Sequence, residues 1–159
     1  MNHDQLILRN SIKCDGCGDE IVSADRHDFR YCTCGANAVD GGPEYLRRLG
    51  ETWTDTSIVA VREQNDPRAV AETAEILEGK RRGWRLIPGP LRDAPVLDAW
   101  RVVEIRRLPP KRVLVGVVTG HPDYPDGTLV ATTGLALLEI DAGWARTTRR
   151  FYRLGGRQQ

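Results

Sequence analysis

Cys14-Asp15-Gly16-Cys17-Gly18 and Cys32-Thr33-Cys34-Gly35 together contain every cysteine of the chain. Two close pairs, each followed by glycine, are how a small domain builds a tetrahedral thiolate cage for Zn²⁺, with Cys14, Cys17, Cys32 and Cys34 as the ligands. Each pair needs a backbone that folds back so that two sulfurs face one ion, and glycine removes the Cβ clash of such a turn. It also lets N–H groups approach the sulfurs and spread their charge. The second pair, with a single spacer residue, makes a tighter knuckle than the first. A disulfide framework needs an oxidising compartment for which nothing in the sequence argues, and a C-x-x-C redox centre leaves the second pair unexplained. Four protein ligands leave no open position for water or substrate, so the expected site is structural rather than catalytic. His27 reads as a hairpin histidine held by Asp25 or Asp28.

Working outward, Ile21-Val22 and Phe29-Arg30-Tyr31 read as a short hairpin that carries the second knuckle back to the first. Gly41-Gly42 makes a turn, and Pro43 and Glu44 suit a single helical turn through Arg48 before Gly50. Tyr45 and Leu46 are then expected to cover the metal. Arg47 and Arg48 read as an anion-binding pair or, by default, as a solvated face or salt links to Asp28 or Asp40. Arg26-His27-Asp28-Phe29-Arg30, Cys32-x-Cys34-Gly35, Val39-Asp40-Gly41-Gly42 and Tyr45-Leu46-Arg47-Arg48 together resemble a family of small, uncharacterised zinc-ribbon domains of phages and bacteria, over about residues 11–60. The resemblance implies a fold, a metal and an origin in mobile or phage genes. It brings no activity.

Residues 51–66 read as a connector with a short strand at 57–61. The clearest helix follows, with Asp66 as N-cap, Pro67 at the first position, Val70, Ala74 and Leu77 on one face, and Lys80-Arg81-Arg82 before Gly83. Beyond a Gly- and Pro-rich stretch, strands are expected at 100–105, 113–119, 128–139 and 149–154, from their β-branched and aromatic content and the turn residues between them. The fold class so expected is α+β: a four-cysteine zinc ribbon at 11–60, then a small antiparallel sheet or barrel with one packed helix at 65–155. Ala94-Pro95-Val96-Leu97-Asp98-Ala99-Trp100, Thr119-Gly120-His121-Pro122, Pro125-Asp126-Gly127 and the run from Gly143-Trp144-Ala145-Arg146 to Tyr152-Arg153-Leu154-Gly155 resemble a family of short hypothetical bacterial proteins of unknown function.

Net charge is +1 for the whole chain, yet residues 101–159 hold ten Lys/Arg against five Asp/Glu. No apolar run is long enough to cross a bilayer and the N-terminus lacks a signal-peptide layout, which points to a reducing cytoplasm. Arg106, Arg107, Lys111 and Arg112, joined by Arg146, Arg149, Arg150, Tyr152 and Arg153, are candidates for a basic, aromatic-interleaved surface that meets a partner or nucleic acid. The loop Gly120–Gly127 gathers His121, two aspartates and a tyrosine, a set able to do acid-base work or bind a cation, although these are also turn residues. The reading preferred from sequence is a non-enzymatic binding protein, related to phages or mobile elements, that holds a protein or nucleoprotein partner such as a host defence complex. A nucleic-acid-binding regulator of transcription or translation is the alternative.

Overall fold

The computed structural model describes residues 3–85, 89–106 and 109–159. Among them run β1 (Gln5–Cys14), β2 (Glu20–Ser23), β3 (Arg30–Tyr31), β4 (Ala38–Asp40), β5 (Arg47–Leu49), β6 (Trp53–Asp55), β7 (Ile58–Arg62), α1 (Pro67–Arg81), α2 (Gly89–Arg92), β8 (Val96–Ile105), β9 (Lys111–Thr119), β10 (Leu129–Glu139), β11 (Trp144–Thr147) and β12 (Phe151–Leu154). With 45% of residues in strands and 12% in helix, the chain is mostly β, which corrects the expected α+β class. Its largest sheet is mixed rather than antiparallel, because β7 pairs with β10 and β12 with β8 in parallel. The chain divides into two compact units, one ending at Ala60 and the other beginning at Val61.

In the first unit β1 is the central element. It pairs antiparallel with β2 on one side, with Lys13 opposite Glu20, and with β6 on the other, with Cys14 opposite Trp53. A separate sheet runs β3-β4-β5, with Tyr31, Ala38 and Leu49 in one cross-strand row. The apolar interior is small: Leu6, Ile12, Ala38 and Val39 are buried beside Cys14 and Cys32. A polar side chain takes the place of further apolar contacts. Buried Asn10 donates through Nδ2 to the carbonyls of Asp40, Gly42 and Tyr45 at 2.9–3.0 Å and accepts from Arg48 Nη1 at 2.6 Å. One amide thereby fixes the turn between β4 and β5, where Gly41 and Gly42 have positive φ and a Cβ would strike Tyr45 or Asp25. The expected helical turn through Arg48 is replaced by this turn and β5.

In the second unit the pairings β11-β12-β8-β9-β10 return through β10 to β11, closing five strands into a ring that leaves no open edge among them. Leu97, Trp100, Leu114, Val118, Val130, Ala145 and Tyr152 fill it. Helix α1 begins as the sequence predicts: Asp66 accepts from Arg68 N at 2.9 Å, with Pro67 next and Lys80 and Arg81 in the last turn. Its inward face differs from the expected one. Val70 and Ala74 are exposed, while Thr73 and Gly79 are buried and Ile76 packs against Ala94, Trp144 and Phe151. The cause is polar: Arg146 donates from Nη2 to Thr73 Oγ1 at 2.9 Å and to Ala69 O at 3.3 Å, and Thr73 donates to Thr147 O at 3.3 Å. These bonds turn the helix by about one residue from its most apolar stripe.

Candidate metal centre

Each cysteine pair sits at the tip of an antiparallel hairpin. The first lies in the loop from β1 to β2, closed by Cys14 N donating to Asp19 O at 2.7 Å and Gly18 N to Cys14 O at 2.9 Å. The second lies between β3 and β4, closed by Cys32 N to Asn37 O at 3.0 Å and Gly35 N to Cys32 O at 2.9 Å. The following glycines adopt nearly the same left-handed conformation, Gly18 at φ 76° and Gly35 at φ 75°. The two tips are therefore near-equivalent knuckles. The expected hairpin between residues 21 and 31 is not the one formed, because β2 pairs with β1 and β3 with β4.

The four Sγ atoms lie within 4.8 Å of one another. Cys34 is 3.5 Å from Cys32 and 3.7 Å from Cys14. Four sulfurs set tetrahedrally about 2.3 Å from one divalent ion have edges of about 3.8 Å, so the spacing fits a metal ion. All four are free thiols. Cys14 is held down at about 6, chiefly by the backbone N–H of Cys17 and then by Asn37 and Gly16, against burial. Cys34 is pushed up to about 12 although the Ala36 N–H pulls it down, because three sulfurs crowd it. Sulfurs this close cannot all ionise without a cation among them, which is the electrostatic condition that a metal ion satisfies.

Three residues that sequence reasoning passes over hold the knuckles. Asn37 is buried, and its Nδ2 donates to Cys14 Sγ at 3.0 Å and Thr52 O at 2.9 Å, while its backbone N–H reaches Cys32 Sγ at 3.4 Å. It touches one sulfur of each pair. Asp19 Oδ2 accepts from Thr33 N at 2.7 Å and from the Thr33 hydroxyl, a strap from one tip to the other. The spacer residue of the Cys-Thr-Cys knuckle thus has a task. Replacing Asn37 with alanine is expected to weaken metal binding about 10- to 100-fold, read by competition with a chromophoric chelator. An unchanged affinity would remove Asn37 from the site.

His27 is exposed and stands outside the sulfur cluster, while Asp28 accepts from Ala24 N at 2.8 Å and pairs with Arg30. Tyr45 donates to Arg26 O and lies against Gly41, and Leu46 is exposed. Of the two arginines beyond them, Arg47 pairs with Asp40 at 3.7 Å, and Arg48 is spent on Asn10, Asp55, Ser57 and the face of Trp53.

In the second unit the candidate binding residues do not form one surface. Arg106 is exposed at the end of β8, Lys111 and Arg112 are exposed at the start of β9, and the register sets Arg112 opposite Glu104. Arg107 lies outside the described residues. Arg146 is buried against α1, pairs with Glu72 at 3.6 Å and stacks on Phe151. Arg149 pairs with Asp66 at 3.4 Å, and exposed Arg153 donates to Ala94 O. Tyr152, a candidate for that surface, is fully buried, which corrects its placement there.

Tyr152 belongs instead to a buried cluster that takes in His121. Tyr152 donates to Glu63 Oε2 at 2.9 Å, and His121 Nε2 lies 3.3 Å from Glu63 Oε1 and 3.2 Å from the Tyr152 oxygen. Arg150 pairs with Glu63 through Nε and with Asp123 at 3.2 Å. Because His121 Nδ1 accepts from Asp123 N at 3.0 Å, its proton sits on Nε2, directed at the carboxylate. Burial raises the Glu63 carboxyl, but bonds from His121, Arg150 and Tyr152 outweigh it and hold the group below its ordinary value. The side chains of His121 and Glu63 are 0% and 2% exposed, so the ring of the loop histidine is enclosed with its partners in the interior.

Residues 6–50 match a domain of unknown function (DUF7695). The match takes in all of β1 but its first residue, and both knuckles, and stops before the Thr52 and Trp53 that back them. Its description carries neither a metal nor a phage origin. No curated protein and no solved structure matches the chain. Among the described residues no helix is long and apolar enough to cross a membrane.

Proposed function

We propose that Cys14, Cys17, Cys32 and Cys34 hold one structural Zn²⁺, in the manner of a zinc ribbon, and that the chain is a non-catalytic binding protein for a protein or nucleoprotein partner. The observation that carries this is the sulfur cluster itself, four thiols from two hairpin tips at tetrahedral spacing. A protein partner is favoured over naked nucleic acid by what surrounds the cluster. The unit ending at Ala60 has six Lys/Arg against ten Asp/Glu, and four thiolates with one divalent ion make it more acidic still. Its small sheet also exposes Tyr31 and Leu49, with Phe29 exposed just before it, the kind of side chains that anchor protein interfaces. In the second unit, Arg146, Arg149 and Arg150 are drawn into internal ion pairs, which leaves fewer cations for phosphate.

Two measurements test this. Elemental analysis of protein purified without chelator is expected to give about one zinc per chain, and no stoichiometric zinc would end the reading. Capture from host lysate with and without nuclease is expected to retain a protein partner after digestion. Recovery of DNA or RNA alone, lost steeply as salt rises, would replace it with the nucleic-acid alternative.

A further inference from the structure

The four cysteines are not equivalent, and the difference follows the side of the cage on which each stands. Cys14 and Cys32 are buried and are the two sulfurs that Asn37 contacts. Cys17 and Cys34 are exposed, one on each hairpin tip. Both tips border open space on the outer side: the positions of a Cβ on Gly18 and on Gly35 have nothing within 4 Å. The two exposed sulfurs lie within the 4.8 Å that bounds the cluster, so a modest movement of the tips brings them to the roughly 2.05 Å of a disulfide. Cys34 starts nearer to Cys32, at 3.5 Å, and to Cys14, at 3.7 Å, but an exposed-to-buried bridge pulls on a sulfur that Asn37 holds in the interior, and bridging Cys32 to Cys34 asks one short loop to close on itself.

Resting on the zinc reading above, we propose that Cys17 and Cys34 form an oxidant-sensitive gate to the metal. Hydrogen peroxide converts the cage into a Cys17–Cys34 disulfide with release of the ion, while Cys14 and Cys32 stay reduced. One outer thiolate attacks the peroxide O–O bond, becoming a sulfenic acid as hydroxide leaves. The other thiolate then displaces hydroxide from that sulfur, so an S–S bond forms as the S–O bond breaks. Two thiolates together lose two electrons, the peroxide gains them, and two protons from solvent complete two waters. With half its ligands gone the ion is held only by the inner pair and departs. The covalent bond then spans the two tips that the ion had joined.

The zinc-loaded full chain is titrated with hydrogen peroxide while a chromophoric chelator reports free zinc. Free thiols are alkylated and the remaining cysteine bonds are mapped by mass spectrometry. The expected result is release of about one zinc per chain together with a Cys17–Cys34 bond, both reversed by a thiol reductant and added zinc. Zinc retained under excess peroxide, a first disulfide that includes Cys14 or Cys32, or oxidation beyond sulfenic acid with no disulfide would each overturn the gate. A preparation that carries no zinc at the outset fails the reading of the previous subsection. A zinc-loaded preparation that fails the titration refutes the gate alone.

Discussion

Removing the metal is expected to unfold the unit ending at Ala60. Its apolar interior is a handful of side chains around Ile12 and Val39, and two of its buried groups, Cys14 and Cys32, are among the four proposed ligands. A segment of this size buries too small a fraction of its surface to be stable unaided. Structural zinc in small domains contributes an apparent ~10–16 kcal/mol at neutral pH, comparable to the whole stability of a domain. Without the ion, four crowded sulfurs either keep their protons or repel one another, and the tips are left to the strap from Asp19 to Thr33, the Asn37 bond to Cys14 and the packing of the strands that carry them. Hydrogen exchange followed by mass spectrometry, with and without a strong chelator, checks this. Protection is expected to vanish from 5–14, 20–23 and 38–40, to persist in 96–105, 113–118 and 129–139, and to return when zinc is added back. Protection of β1 that survives complete removal of the metal would show that the unit folds without it.

How much of this is open to sequence reasoning depends on which forces shape each element. The knuckles are legible because ligand chemistry restricts residue type and spacing: only cysteine supplies the sulfur, and glycine follows each tip where φ is positive. The start of α1 is legible for a similar reason, since Asp66 and Pro67 each have a local task. Elements held by long-range polar bonds are not. The ten-residue β1 contains buried Asn10 and Ser11 in its middle, so its apolar alternation is broken where the strand matters most. Periodicity misplaces the face of α1 because an arginine some seventy positions away in sequence, Arg146, chooses Thr73 over the more apolar stripe. The short strand β11 escapes notice because Trp144-Ala145-Arg146-Thr147 looks amphipathic on paper, whereas all four residues are buried.

The basic C-terminal third shows the same limit in functional terms. Interleaved arginines and aromatics fit a single-strand binding surface by composition, and composition cannot reveal that Glu63, Glu72 and Asp66 lie opposite three of those arginines. His121 stands out in the sequence as a chemically capable residue in a turn. Its partner Glu63 lies 58 residues earlier, and no local pattern joins them.

That cluster carries the second large expected effect. Replacing Glu63 with alanine is expected to destabilise the unit beginning at Val61 by about 3 kcal/mol, because it removes the buried acceptor that Arg150, Tyr152 and His121 share, leaving Arg150 only Asp123 and leaving Tyr152 and His121 only each other. Tyr152→Phe removes one donor and leaves the carboxylate its other partners, so about 1–3 kcal/mol is expected. The pH dependence has a definite sign on each limb. Glu63 titrates below its ordinary 4.5 in the folded chain, so its contribution is full above 4.5 and is lost as pH falls through the folded value. Tyr152 titrates above its ordinary 10.0, through burial first and the Glu63 charge second. The unfolded chain therefore ionises there first, and stability falls as pH rises past 10.0. Urea midpoints followed by tryptophan fluorescence across roughly pH 3 to 11 are expected to show both limbs, with the alkaline one flattened in Tyr152→Phe and the acid one in Glu63→Ala. If Glu63→Ala matched the wild-type midpoint at neutral pH, the buried carboxylate would be a passenger in the fold rather than the group that joins β7, the His121 loop and β12.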